Sequence, residues 1–374
     1  MKPRRRPDRR VCSTCTSETY ICFGEVHALE IAGRKINVKR GLELFIGITA
    51  LSITLFLIFT GVEMIRYMLS LKPRYLALLI SLSLSMWVFS ALKFHLLLLG
   101  TGERVSFWRS FQAFMSNLFM GAITPSQTGG GIAQMYVLSR GGVPLSKAFI
   151  ACATGAGLTM LSLFSSALVI IALNHSLLFE LGYALRAAFI FAAFFFVFFL
   201  SAFALAIAKM DLFKRMVGVG ALAIFKGLRL RRRITYTKRI LRTLNLFTEC
   251  VKLYTTTHRH LTVLALLLSY ISLAIYCFIA SAALYGLGVR HKVLQVFLIQ
   301  VVLSFIAYFS PSPGASGVAE GGSYLLMAGI IPNPALRGAY TLIWRLFTSY
   351  LGVTVGGLIF THAVNVQPKP KRSG

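Results

Sequence analysis

The chain has 374 residues, of which 56% are hydrophobic, 13% are charged and thirty are phenylalanine. With a mean hydropathy of +0.73, it has too little polar surface to coat a soluble globule of this size, so a soluble enzyme is excluded and a multi-pass membrane protein is predicted. The formal net charge of +28 does not indicate nucleic acid: Lys and Arg stand in blocks between apolar stretches, as expected for loops facing anionic lipid headgroups, and no basic face is interleaved with aromatics.

Residues 1–40 form a polar, basic tail, too charged and too poor in apolar runs for a cleaved signal peptide. Six apolar stretches follow at 42–62, 75–99, 146–173, 183–208, 261–287 and 336–361, each long enough to cross about 30 Å of hydrocarbon as a helix. Between them, 107–124 with 130–138 and 293–310 with 318–331 are shorter and broken by Pro and Gly. They predict two helical hairpins, either re-entrant or thinly spanning. The expected fold is therefore an all-α polytopic membrane protein with about six full transmembrane helices and two broken hairpins arranged as an inverted repeat. Its first membrane half covers 41–208 with a hairpin at 107–142; a basic connector follows at 209–259, then a second half at 260–362 with a hairpin at 292–333, and a basic C-terminus at 363–374.

Basic clusters in the tail (Arg4 to Arg6, Arg9, Arg10, Lys39, Arg40), the connector (Lys209 to Arg242) and the C-terminus (Lys369, Lys371, Arg372) predict that all three are cytoplasmic. Six spans and two hairpins that return to their own side satisfy all three placements, with the first hairpin at the cytoplasmic face and the second at the outer face. Arg66, Lys72 and Arg74 then lie outside, against the usual charge bias. The connector reads either as an interfacial amphipathic helix, with Leu212, Met216, Val219, Leu222 and Phe225 at helical spacing, or as a solvated linker.

The two hairpins carry duplicated text. Thr124-Pro125-Ser126 leads through Gly129, Gly130 and Gly131 to Ala133-Gln134, and Ser310-Pro311-Ser312 leads through Pro313, Gly314 and Gly317 to Ala319-Glu320; Pro125, Ser126, Gly131, Ala133 and Gln134 match Pro311, Ser312, Gly317, Ala319 and Glu320 at one offset of 186. Paired helix breaks in corresponding places point to a transporter binding site, because unwound backbone is tolerated in lipid only where it is buried or lines a cavity. Helix starts at such breaks can hold a phosphate without a fixed side-chain charge. Tight packing at small residues is the competing explanation.

Among charged residues Glu320 stands out as the single acid between Cys250 and the C-terminus. An intramembrane carboxylate is a functional candidate, and Arg345, inside the last apolar stretch, is its expected partner. The pair reads either as a structural lock or as a gate at which substrate or a proton exchanges. Arg140 and Lys147 could draw anionic headgroups to the cytoplasmic entrance or act as ordinary anchors; Lys93 and His95 could snorkel; Gln112, Asn117 and Gln300 could line a groove or bond between helices. Cys12, Cys15, Cys22 and His27 could supply zinc ligands, although their spacing matches no common finger and a disordered cytoplasmic tail is the favoured reading. No nucleophile and base pair, phosphate loop or acid pair is present, and no cofactor is implied.

The two motifs, Thr124 to Gln134 with Met135-Tyr136 and Arg140-Gly141-Gly142-Val143, and Pro311 to Gly322, followed by Leu342-Ile343-Trp344-Arg345, resemble the transmembrane region of lysylphosphatidylglycerol synthases. The resemblance covers roughly residues 42–361 and is looser in the first motif, where many relatives carry an acidic residue or an Arg and this chain has Gly131, Ile132 and Gln134. It implies a flippase-like protein that moves an aminoacylated or other polar-headed lipid between leaflets, and it does not imply lipid synthesis, because the soluble aminoacyl-transfer domain is missing from the sequence. The expected partners are membrane phospholipids or polyprenyl-phosphate lipids, with a homo-oligomer left open, and the expected location is the cell membrane. An intramembrane lipid-modifying transferase, or an ion or small-solute transporter, is the alternative.

Overall fold

The computed structural model of the protein describes residues 61–173 and 259–365 apart from Phe309, together with 29–31, 34–36 and isolated helical positions between 43 and 58 and at 194, 201 and 219. The expected stretches at 42–62 (save those positions and 61–62) and 183–208 (save 194 and 201), most of the connector, the final residues of the C-terminus and the tail's Cys and His residues lie outside the described residues. Within the tail, Leu29–Ile31 and Arg34–Ile36 pair as a short antiparallel ribbon, β1 and β2. Composition gave no signal for it.

The helices, in chain order, are α1 (Glu63–Leu69), α2 (Pro73–Gly100), α3 (Phe107–Ile123), α4 (Thr128–Arg140) and α5 (Leu145–Leu173). The second group is α6 (Arg259–Gly286), α7 (Val293–Tyr308), α8 (Val318–Leu326), α9 (Pro334–Arg345) and α10 (Leu351–Asn365). Their starts follow from local chemistry. Pro73 and Pro334 sit in first turns, where a missing N–H costs nothing. Ser106 accepts the Arg109 N–H at 3.3 Å, and Asn333 accepts those of Ala335 and Leu336 at 2.9 and 3.1 Å.

Among the described residues, Pro73–Gly100, Leu145–Val169, Arg259–Gly286 and the continuous run Pro334–Asn365 are long and apolar enough to cross a membrane. They correspond to four of the six expected spans. The protein is an all-α polytopic membrane protein. The last span is not one regular helix: a π turn at Leu346–Tyr350 joins α9 to α10.

α2 and α6 form an antiparallel pair. Ser90 donates to Ser272 at 3.3 Å, and a Cβ on Gly286 would lie 3.0 Å from Tyr75 Cβ and 2.5 Å from the end of the Leu71 side chain, so the start of α2 lies close against the end of α6. α10 crosses α3 equally closely, since a Cβ on Gly356 would lie 2.5 Å from the Met115 carbonyl oxygen. Among the described residues two large apolar cores and two small clusters result. One large core joins Leu79, Ile279, Leu303, Met327, Tyr340 and Trp344, and the other joins Leu97, Met120, Ala133, Leu138, Ala151 and Val353.

The two hairpins enter from opposite ends of the bundle. Gly141, just past α4, packs on the Arg109 side chain at the start of α3, so the first hairpin returns to the end where α2 finishes. The second leaves from the end of α6 beside Leu71 and returns there, where Asn333 donates to Tyr67 of α1 at 3.3 Å. Seventeen residues of α3 and sixteen of α7 each rise about 25 Å. The helix breaks are thereby carried deep into the bundle.

Candidate functional site

At the first break, Thr124 is extended and Pro125–Gln127 form a single 3₁₀ turn with Ser126 and Gln127 in the left-handed region, at φ 51° and 55°. Thr124 closes α3 and opens α4, its hydroxyl donating to the Met120 carbonyl at 2.6 Å and accepting the Gly129 N–H at 2.9 Å. Asn117 donates to Gln134 at 2.9 Å across the hairpin. A Cβ on Gly129 would meet Thr124 at 2.5 Å, and one on Gly130 would meet Asn117 at 2.8 Å, so these two glycines are required by packing. Gly131 is different. Among the described residues nothing beyond its chain neighbours and its own helix backbone lies within 4 Å of its Cβ position, and Pro125 to Thr128 beside it are exposed.

The second break repeats the turn. Pro313–Ala315 form a 3₁₀ turn with Gly314 and Ala315 at φ 58° and 55°, and Gly317 at φ 82° starts α8. Ser126, Gln127 and Ala315 are the three non-glycine residues with positive φ among those described, so backbone strain of roughly 1–3 kcal/mol per residue is concentrated at the two breaks. The turns themselves align in a different register from the text. Pro125 corresponds to Pro313, an offset of 188, rather than to Pro311, which is exposed and precedes the turn. Turns are equivalent by dihedral angle, whereas the text aligned on flanking prolines and serines. The two turns pack against each other, and α3 also touches the second turn.

Glu320 and Arg345 meet beside the second turn. Arg345 Nε lies 2.8 Å from Glu320 Oε1, with the two residues 6% and 1% exposed. Arg345 Nη2 donates to the Gly314 carbonyl at 3.1 Å, and the Gly317 N–H donates to Glu320 Oε2 at 2.7 Å. A further donor had no sequence signal: the Tyr350 hydroxyl donates to Glu320 Oε1 at 2.8 Å. In an α-helix two residues five apart point about 140° away from each other. The π turn, whose bonds run from i to i+5, brings Arg345 and Tyr350 to one side. Ser83 of α2, its hydroxyl 2.8 Å from the Phe347 carbonyl, covers one oxygen of that turn.

The remaining expected residues are dispersed. Arg140 donates to the Val364 carbonyl in the last turn of α10, capping that helix. Lys147 pairs with Glu103 at 2.7 Å. Lys93 bonds Thr159 at 2.7 Å, His95 meets Ser110 at 3.1 Å and Gln300 donates to Tyr340 at 3.0 Å. Chemically, the centre offers strained backbone, neutral amides at the first break and, at the second, a buried ion pair whose carboxylate accepts from Arg345, Tyr350 and the Gly317 N–H. Among the described residues no three His, Cys, Asp or Glu side chains cluster as metal ligands.

The transmembrane region of lysylphosphatidylglycerol synthase is the family whose sequence pattern this chain matches, over residues 44–356. A protein of Archaeoglobus fulgidus named UPF0104 membrane protein is 26% identical over 288 residues, covering 76% of this chain and 84% of its own length. No solved structure matches significantly. The match takes in both hairpins, the Glu320 and Arg345 pair and the helices around them, and the protein therefore belongs to the family of lysylphosphatidylglycerol synthase transmembrane regions.

Proposed function

We propose that this chain is a flippase or scramblase that moves a polar-headed lipid, whether anionic, aminoacylated or polyprenyl-phosphate, between leaflets of the cell membrane. It acts as a transporter and not as an enzyme. Drawing a charged headgroup through hydrocarbon costs several kcal/mol or more, and a polar path must offset that cost. The observation that carries this reading is the contact between the two strained turns, delivered deep into the bundle by hairpins from opposite ends. The exposed residues Pro125 to Thr128, close in sequence to the open side of Gly131, and Gly317 at the second break supply backbone polar groups along such a path. In this reading the hairpins are the two halves of an inverted repeat, the termini and connector are cytoplasmic, and their basic residues hold anionic inner-leaflet headgroups.

The test is a leaflet-resolved assay with the full chain in vesicles, over fluorescent phosphatidylglycerol, an aminoacylated phosphatidylglycerol and a polyprenyl phosphate. Accelerated equilibration of at least one lipid, without covalent change, is expected. Rates equal to those of protein-free vesicles for every lipid refute the proposal. A labelled lipid converted to a new product points instead to a transferase.

A further inference from the structure

The three groups that hold Glu320 have the composition of an oxyanion site. A guanidinium, a phenol and a backbone N–H at the first turn of α8 converge on one carboxylate, at 2.8, 2.8 and 2.7 Å. Such a set also suits a phosphate: Arg binds its oxygens with directional charge-assisted bonds, and a helix start adds partial positive charge. The occupant here is a side chain of the same helix. Glu320 folds back onto its own N-cap, so its carboxylate sits where an external anion would be drawn. Gly317, at the mouth of this cradle, is exposed. Arg345 meanwhile ties the carboxylate to the turn through Gly314, so any anion that takes Arg345 also loosens the second break.

We infer that Arg345, Tyr350 and the Gly317 N–H form a phosphate-binding site in which the Glu320 carboxylate is the resident competitor, displaced when a lipid phosphate passes the second break. This rests on the proposed lipid movement for its biological role, but the site itself is testable without transport. Tyr350 is a positioning residue in this scheme. It keeps a donor on whichever anion is present, and the π turn is the device that aims it.

The experiment measures thermal unfolding of the purified full chain in detergent, titrated with inorganic phosphate or with short-chain phosphatidylglycerol. Wild-type protein should respond weakly, because its site is filled. Glu320→Ala, and more gently Glu320→Gln, should be less stable alone and should recover with short-chain phosphatidylglycerol at concentrations at least tenfold below those affecting wild type. Arg345→Ala added to Glu320→Ala should abolish the recovery, and Tyr350→Phe added to it should weaken recovery about tenfold. A purely structural ion pair predicts lower stability in both Glu320 variants with the anion response of wild type, and that result overturns the inference. Failure of both variants to accumulate even when phosphatidylglycerol is present throughout purification also overturns it. Recovery by inorganic phosphate alone removes the lipid assignment. If recovery occurs as described and yet no lipid moves in vesicles, the transport proposal falls while the site stands.

Discussion

Gly130 and Gly131 are neighbours on α4 with opposite surroundings, and substituting each separates packing from path. At Gly130 a Cβ would lie 2.8 Å from Asn117 Oδ1 and 2.9 Å from its backbone oxygen. The side chain can swing away, but the carbonyl belongs to α3 and cannot. Gly130→Ala therefore overpacks the hairpin by roughly 1–3 kcal/mol and threatens the Asn117 to Gln134 bond, worth about 1 kcal/mol. The helix-propensity gain over glycine returns about 1 kcal/mol, so a net loss of about 1–3 kcal/mol is expected. At Gly131 a Cβ has nothing within 4 Å to meet among the described residues. Gly131→Leu should leave stability unchanged or raise it by up to about 1 kcal/mol, while filling the open side of the first break with a four-carbon side chain. Thermal unfolding of both variants and lipid equilibration in vesicles read the two effects separately. Wild-type lipid movement by a stable Gly131→Leu protein would refute the path beside Gly131, and wild-type stability of Gly130→Ala would refute the close approach of α3 and α4. Gly317→Leu is a poorer probe, because φ 82° strains any side chain there.

Gly356→Ala should cost about 1–3 kcal/mol by pushing α10 off the Met115 carbonyl, whereas Gly157→Ala, with open space at its Cβ, should gain about 0.5–1 kcal/mol; melting temperatures of the two should move in opposite directions. Ser83→Ala removes a hydroxyl that its single proton shares between the Leu79 carbonyl of its own helix and the Phe347 carbonyl of the π turn, both at 2.8 Å, and should cost about 0.5–1.5 kcal/mol, read by the same melts. His291, in the loop before α7, has its pKa lowered from 6.5 by burial, with a buried Nε2 that has no hydrogen-bond partner among the described residues. The unfolded chain takes up this proton first, so the stability contribution is present above the unfolded value of 6.5 and is lost as pH falls through it toward the lower folded value. His291→Gln should flatten the decline in melting temperature below about pH 6.5, and an unchanged slope would assign the decline to other groups.

The hairpins were legible because Pro and Gly interrupt apolar runs in two places, and the Glu320 to Arg345 pair because an acid and a base in hydrocarbon need each other. Other features leave no such trace. Ser126, Gln127 and Ala315 adopt left-handed backbone without being glycine, so the turn register of 188 is invisible in text that aligns at 186. The π turn adds one residue per turn without changing composition, and under ordinary helical geometry Tyr350 faces away from Arg345. Arg140 reads as a headgroup attractor or an ordinary anchor from its position after a hairpin. Its use as a cap for α10 depends on a carbonyl more than two hundred residues away.

The two breaks also differ in how they resist opening. The first is closed by neutral bonds, Asn117 to Gln134 and Thr124 to Gly129, each worth about 1 kcal/mol net. The second is closed by a buried ion pair, and breaking such a pair without replacement costs about 3–5 kcal/mol. Under the proposed function, thermal motion alone suffices to loosen the first break, while the second needs an anion to take over the guanidinium. A lipid without a phosphate then meets a higher barrier at Arg345 than one that carries it, and headgroup selection belongs to the second break. The refuting comparison is direct: if Arg345→Gln slows an uncharged-headgroup glycolipid and phosphatidylglycerol by the same factor in vesicles, the ion pair is a lock and not a selector.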